Sequence, residues 1–210
     1  MIGLLASYGF VFAVIGLSTL FDKLNIFNDE GSRKFIHIGV ANWWLLAMFF
    51  FDQDTYYFAI IPPLTFIALN YLSYRFNLVK SMERDVQTTN DLGTVYYAIS
   101  LFIITFIAFY FDRLMIGALA ILVMGYSDGL SAVFGTHFKS AKLYQNKSLI
   151  GFVTMFIVTM IIGLILFPFV WHYILLIAIA AAMVELYTPK GLDNLSVPLL
   201  VFLLGVMLLW

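Results

Sequence analysis

The stretch from Leu114 to Gly135 reads LMIGALAILVMGYSDGLSAVFG. An apolar run of about twenty residues is what an α-helix needs to cross the roughly 30 Å of a bilayer's hydrocarbon. Yet this run carries Asp128, set between Ser127 and Gly129. An ionised carboxylate at the centre of a membrane helix costs roughly 2.5–3.5 kcal/mol on insertion scales. Such a group is tolerated when it is buried in protein or lines a watery cavity. Gly125, Gly129 and Gly135 permit irregular or closely approached backbone around it. Seven residues place Asp128 about 10 Å along the helix from Gly135. Two readings follow: a paired structural Asp in a tightly packed Gly/Ser helix, or a carboxylate facing a metal or substrate in a cavity. The second is the expectation.

The rest of the chain resembles this stretch. Of its 210 residues, 63% are hydrophobic and 11% charged, against about 25% charged in soluble domains. Its mean hydropathy is +0.98. The chain reads as one integral membrane domain over residues 1–210, an all-α polytopic helix bundle. It contains no cysteine, which excludes disulfides, thiolate zinc sites and thiol nucleophiles. Its histidines are His37, His137 and His172, too few for a multi-His metal site. The first apolar run lacks a basic leader and a small-residue cleavage site, and reads as a retained helix.

Eight runs are candidate spans: Ile2–Phe21, Phe35–Phe51, Tyr56–Phe76, Thr94–Phe111, Leu114–Phe134, Leu149–Val170, His172–Tyr187 and Leu195–Trp210. Pro62-Pro63 should kink or break the third. Lys and Arg across the seven loops number three, zero, three, one, three, zero and one. The positive-inside rule then puts loops one, three, five and seven in the cytoplasm and both termini outside. Spans two, four, six and eight begin on that side. Free N–H groups and the helix dipole make such N-termini suited to phosphate. The stretches GSRKFIHIG, TNDLGTVYY, NKSLIG and LDNLSVP lie there. Asp91, Ser148 and Ser196 are expected N-caps, with Pro198 in a first turn.

Several charged positions carry chemistry. Arg33, Lys34 and His37 are spaced i, i+3 and i, i+4, so one helix face could present two cations and an imidazole. Glu185 is expected near the cytoplasmic end of its span, within reach of Asp128, and Asp193 and Asn194 follow in the next loop. Carboxylates brought together suit Mg²⁺, which shares oxygen ligands with phosphates. Lys139, Lys142 and Lys147 form a basic loop compatible with anionic lipid or nucleotide. No GxxxxGK[ST] loop or GxGxxG fingerprint is present, so a nucleotide would have to be held differently. His137 lies in the same basic loop, and His172 on the other side.

Taken in order, RKFIH, GTVYY, SDGLSAVFG, KSLIG and DNLSVPL resemble the polyprenol kinase family: dolichol, phytol and farnesol kinases and CTP-dependent diacylglycerol kinase. Phosphatidate cytidylyltransferases are related. The resemblance implies CTP-dependent phosphoryl transfer to a lipid alcohol at the cytoplasmic face of a plasma membrane, with Mg²⁺ or another divalent cation. No nucleic-acid partner is expected. The implied catalytic residues are Asp128, Arg33, Lys34 and His37. The implied nucleotide-binding residues are Asp91, Gly93, Thr94, Gly129, Gly135, Lys147, Ser148 and Asn194. Asp128, Glu185 and Asp193 would hold the metal. The chain departs from the family pattern at Ser127, where Gly is usual, at Ile150, where an acid is usual, and over Thr136–Lys139, where Arg and Gly are commoner. A CDP-lipid synthase is the alternative reading; a transporter or an inactive relative ranks below it.

Overall fold

A computed structural model describes residues 1–27, 29–76, 92–189 and 191–210, without the side chain at 29. The expected caps and cations Asp91, Lys80, Arg84 and Lys190 lie outside the described residues. The structure is an α-helical bundle whose helices correspond in order to the eight apolar runs. Helix α1 covers Ile2–Lys23, α2 Asp29–Ala41, α3 Trp43–Phe50, α4 Tyr56–Ala59 and α5 Ile61–Phe76. Then come α6 (Gly93–Tyr110), α7 (Leu114–Leu122), a π-turn (Val123–Ser127), α8 (Asp128–His137), α9 (Leu149–Leu166), α10 (Trp171–Tyr187) and α11 (Asp193–Leu208). A two-stranded hairpin, β1 (Lys142–Tyr144) and β2 (Lys147–Ser148), joins α8 to α9.

Among the described residues, five helical segments are long and apolar enough to cross a membrane: 2–23, 56–76, 93–110, 114–137 and 149–166. Helices α10 and α11 are apolar but shorter. The continuous second span is corrected to two helices, α2 and α3, divided at Asn42. The Asn42 amide donates back to the carbonyls of Ile38 (3.0 Å) and Gly39 (3.4 Å), and its Oδ1 accepts from the Tyr126 hydroxyl (2.9 Å). A side chain that satisfies backbone acceptors stabilises such a break. The expected break at the prolines is present: α4 ends at Ala59 and α5 begins at Ile61. Pro62 and Pro63 thus occupy the first turn of α5, where no helical N–H is missed.

The run that opened the reading is the centre of the bundle. Of the apolar window in 114–137, 72% is buried inside the protein, against 22% for α1 and for α9. Its own Leu119, Ile121 and Met124 are fully buried, as are Trp44, Met155 and Ile177 on neighbouring helices. Outward residues such as Leu5, Phe12, Ile165 and Met207 are exposed, as a lipid-facing surface requires. Small residues let the helices approach. A Cβ at Gly129 would lie 2.6 Å from Ile38 Cγ1, and one at Gly125 would press on Ala41, so α2 sits directly on the π-turn and α8.

The bundle has two chemically different ends. At one, the Gln53 amide donates to Tyr110 O (2.9 Å), Arg113 stacks 3.6 Å from the Trp210 ring centroid, and Gly3 lies against Phe50 and Phe51. Both chain ends and loops two and four therefore meet there. The other end holds the first turns of α2, α9 and α11, the hairpin and the charged site.

Candidate functional site

The site begins with the π-turn. One extra residue per turn displaces the following side chains and loosens the carbonyl ladder, a feature common at functional sites. His37 Nε2 donates to Met124 O within this turn (2.8 Å) and lies 3.1 Å from Asp128 Oδ2. Both partners only accept, so the ring carries its proton on Nε2. Lys34 Nζ donates to the same Oδ2 at 2.9 Å. Asp128 Oδ1 has no hydrogen bond among the described residues. The imidazole is fixed further by Tyr97, whose ring meets it edge-on at 4.6 Å and whose hydroxyl donates to His37 O (3.0 Å). Behind the turn, Thr159 Oγ1 donates to Ser127 Oγ (3.0 Å).

Two more acids reach the same place. Lys147, delivered by the hairpin, pairs with Glu185 Oε1 (2.8 Å) and Asp193 Oδ2 (3.4 Å), and also bonds the Glu185 carbonyl. The hairpin turns at Gln145, which takes φ 48°. Gly191 adopts φ 90°, open to glycine without cost, and its N–H and that of Asn194 donate to Asp193 Oδ1 (both 3.1 Å). One carboxylate oxygen from each of Asp128, Glu185 and Asp193 lies within 4.8 Å of the others, and all three residues are buried. Burial works against the charge on Lys147, but Glu185 and Asp193 outweigh it and hold the ammonium's pKa above its ordinary range.

This acidic and basic cluster lines a polar pocket of about 990 Å³ including its open mouth. Arg33, Ser131, Gly135, Ser148, Gly151 and Asn194 line it too. Ser148 caps α9 as expected, accepting from Gly151 N–H at 3.2 Å. A Cβ at Gly135 would sit 2.9 Å from Ser148 Oγ and 3.3 Å from Gly151 Cα, so glycine keeps the α8–α9 contact tight. Beside it is an apolar cavity of about 740 Å³ including its mouth, between α1, α2, α5 and α6. Val11, Val40, Pro63, Phe66, Ala98 and Leu101 are on its walls. Arg33 and Asn194 line both spaces; His37 lines the apolar one and bonds Asp128 in the polar one. Two buried polar atoms lack a partner among the described residues, Trp43 Nε1 and Asn194 Oδ1.

Most of the expected site residues converge. Arg33, Lys34, Asp128, Gly135, Lys147, Ser148, Glu185, Asp193 and Asn194 share the polar pocket. Other placements differ from expectation. Arg33 and Lys34 do not act as a pair: Arg33 bonds Glu30 (2.6 and 3.2 Å) while Lys34 turns to Asp128. Thr94 lines the apolar cavity, and Gly93 contributes its carbonyl to the Asn194 amide (3.0 Å). Gly129 is spent on the Ile38 contact. Ser196 is no cap; α11 starts three residues earlier and Ser196 donates to Thr188 Oγ1 (3.1 Å). Pro198 therefore lies inside α11, and the Asn194 carbonyl that a Pro N–H cannot satisfy accepts from Ser100 Oγ (2.6 Å). Ile150 is not among the lining residues, and His137 and His172 are in neither space. Sequence reasoning passed over Tyr97, Ser131 and Asn70. The signals were present: Tyr97 lies in GTVYY, Ser131 follows Asp128 at i+3, and Asn70 is a lone amide in an apolar run.

The donor set fits a divalent cation. Three carboxylates face the ammoniums of Lys34 and Lys147, which leaves one negative charge in excess when His37 is neutral. Oxygen donors grouped this closely suit a hard cation.

Fold and site together define a membrane-embedded helical protein with a charged pocket abutting an apolar cavity. The comparisons agree with the sequence resemblance. The chain is 28% identical to a phytol kinase of Synechocystis over 214 residues, covering 94% of this chain and 87% of that protein. It is 29% identical to phytol kinase 1 of Arabidopsis thaliana chloroplasts over 202 residues, covering 84% and 66%. No family model and no solved structure matches. These relatives bear out the resemblance to the polyprenol and phytol kinase family. These relatives are kinases, a class of phosphotransferase.

Proposed function

We propose that this chain transfers the terminal phosphate of CTP to a lipid alcohol, of which phytol is the first to test, at the cytoplasmic membrane face. The observation that carries the proposal is the meeting of three buried carboxylates with a polar pocket beside an apolar cavity, in a chain similar to phytol kinases. The relatives support a lipid substrate and a nucleotide; CTP, Mg²⁺ and the cytoplasmic face rest on the sequence resemblance and the loop charges.

Asp128, Glu185 and Asp193 would hold Mg²⁺, which supplies charge neutralisation to the nucleotide's phosphates. The excess of one negative charge becomes an excess of one positive charge with a divalent cation, which suits a polyphosphate. Lys34 pairs with Asp128 and orients it, and His37 fixes the same oxygen. Lys147 is the counter-ion of Glu185 and Asp193 and would be free to meet a phosphate if those acids held a cation. Arg33, Gly135 and Ser148 complete the wall against which the nucleotide lies. In the reaction the alcohol oxygen bonds to the terminal phosphorus as the bond to the bridging oxygen breaks. CDP leaves with that electron pair, and the hydroxyl proton is released to the transferred phosphoryl group. Positioning and charge are most of what such a transfer needs.

The test is incubation of the purified protein with α- or γ-labelled CTP, Mg²⁺ and a panel of lipid alcohols. The expected result is γ-label in the lipid and CDP as co-product. Label from the α position would instead identify a CDP-lipid synthase.

A further inference from the structure

We infer that the apolar cavity between α1, α2, α5 and α6 holds the hydrocarbon chain of a single-chain lipid alcohol, and that Asn194 is the positioning residue that receives its hydroxyl. This rests on the kinase reading above and assigns the acceptor's place within it.

The argument starts from the orphaned oxygen. Asn194 is buried and its Nδ2 donates to Gly93 O at 3.0 Å. That partner is a carbonyl, so the amide's orientation is fixed and Oδ1 must point the other way. Oδ1 has no hydrogen-bond partner among the described residues and is buried at the junction of the two spaces. A buried acceptor in this state favours a ligand that brings a donor. A phosphate oxygen cannot serve, because it also accepts; an alcohol hydroxyl can. Asn194 is moreover held rigidly: its own N–H bonds Asp193 Oδ1 (3.1 Å) and its carbonyl accepts from Ser100 (2.6 Å).

Location selects the occupant. Asn194 stands where the apolar cavity meets the polar pocket and lines both. Trp43, the other residue with an unpartnered buried polar atom, lines the apolar cavity alone. Beyond the junction the walls are mainly aliphatic and aromatic, with Val11, Val40, Phe66 and Leu101. A hydroxyl at Asn194 is thus the head of a chain that runs away from the acids into hydrocarbon. It also lies next to Asp193, whose carboxylate belongs to the acidic triad. The cavity and the polar pocket therefore divide the two substrates, and Asn194 belongs to the acceptor's side of that division.

The test has two arms. In the first, a long-chain alcohol carrying a photoreactive diazirine in its tail is crosslinked to the unmodified protein, and the labelled peptides are sequenced. Label on α1, α2, α5 or α6 residues of the cavity, competed by unlabelled alcohol, is expected. Label confined to the outer surface of α9 or α10 overturns the inference. This arm needs no turnover, so cavity labelling without any phosphorylation would sink the kinase reading and leave the binding site standing. In the second arm, Asn194→Ala and Ala98→Phe are assayed with the nucleotide and the alcohol varied separately. Loss of one hydrogen bond predicts a rise of roughly three- to tenfold in the alcohol's KM for Asn194→Ala. Ala98→Phe, which fills the cavity, should raise it at least as much, and in both the nucleotide's KM should stay within about twofold of the parent. An increase in the nucleotide's KM alone would assign Asn194 to the nucleotide and overturn the inference. Thermal unfolding of each variant shows that the fold is intact, and the crosslinking arm stands if either variant fails to fold.

Discussion

Asp128, Lys34 and His37 form the smallest unit on which the function depends. Lys34 and Asp128 are 94 residues apart in sequence, buried, and joined at 2.9 Å. Removing one partner strands a charge in a low-dielectric interior, so Lys34→Met should destabilise the protein by about 3–5 kcal/mol. Adding Asp128→Asn should recover much of that loss, because the stranded charge goes with it. Unfolding in detergent micelles measures both. Asp128→Asn alone should lower phosphotransfer by about a hundredfold or more while helical content stays intact; retention of full turnover would remove Asp128 from the mechanism. The residue types of this unit were legible, since a carboxylate in an apolar run and cations at a helix start are both anomalies against their background. Their partnership was not. The spacing of Arg33, Lys34 and His37 allowed all three to grip one phosphate, and only the packing of α2 on Gly125 and Gly129 turns Lys34 and His37 toward Asp128 and leaves Arg33 to Glu30.

Two local elements aim these side chains. The π-turn at Val123–Ser127 frees the Met124 carbonyl to accept from His37, directly ahead of Asp128. Deleting one of its residues, Tyr126 for example, would restore α-helical spacing and return the Met124 carbonyl, the acceptor that holds His37, to the helix ladder. Helix content should persist while activity and divalent-cation binding are lost, as circular dichroism and Mn²⁺ titration would report. No residue pattern marks a π-turn, because its cause is the tertiary demand of His37 and Ala41 on that backbone. The break at Pro62-Pro63, whose cause is local, was legible. The hairpin is the second element, and its business is to carry Lys147 to Glu185 and Asp193. The raised pKa of Lys147 means that its pairing stabilises fully below the ordinary lysine range of about 10.4. That contribution is lost as the pH rises through the higher folded value. The melting temperature of the parent should therefore fall more steeply than that of Lys147→Met as the pH rises above the ordinary lysine range of about 10.4, measured by differential scanning fluorimetry.

Across the whole molecule, the loops sort by charge into two ends, and the structure keeps them apart. Asp52, Gln53, Asp54, Asp112 and Arg113 gather with both chain ends, while Arg33, Lys34, Lys142 and Lys147 surround or flank the polar pocket. That separation follows from alternating helix directions and was legible in the loop composition. The apolar cavity was not, because a wall that faces a ligand and a wall that faces lipid use the same residues. The orientation is open to a direct test, because the parent chain contains no cysteine and needs no background substitutions. Asp54 and Lys139 are both exposed and line neither cavity nor pocket, so Asp54→Cys and Lys139→Cys should fold and turn over like the parent. With eight spans and both termini outside, a membrane-impermeant maleimide on intact cells should label Asp54→Cys at once. Lys139→Cys should react only after permeabilisation. The reverse pattern would place the polar pocket on the outer face, away from the cell's nucleotide pool, and would exclude a cytoplasmic donor. Labelling of both on intact cells would mean that the helices do not alternate across the bilayer as their loop charges require.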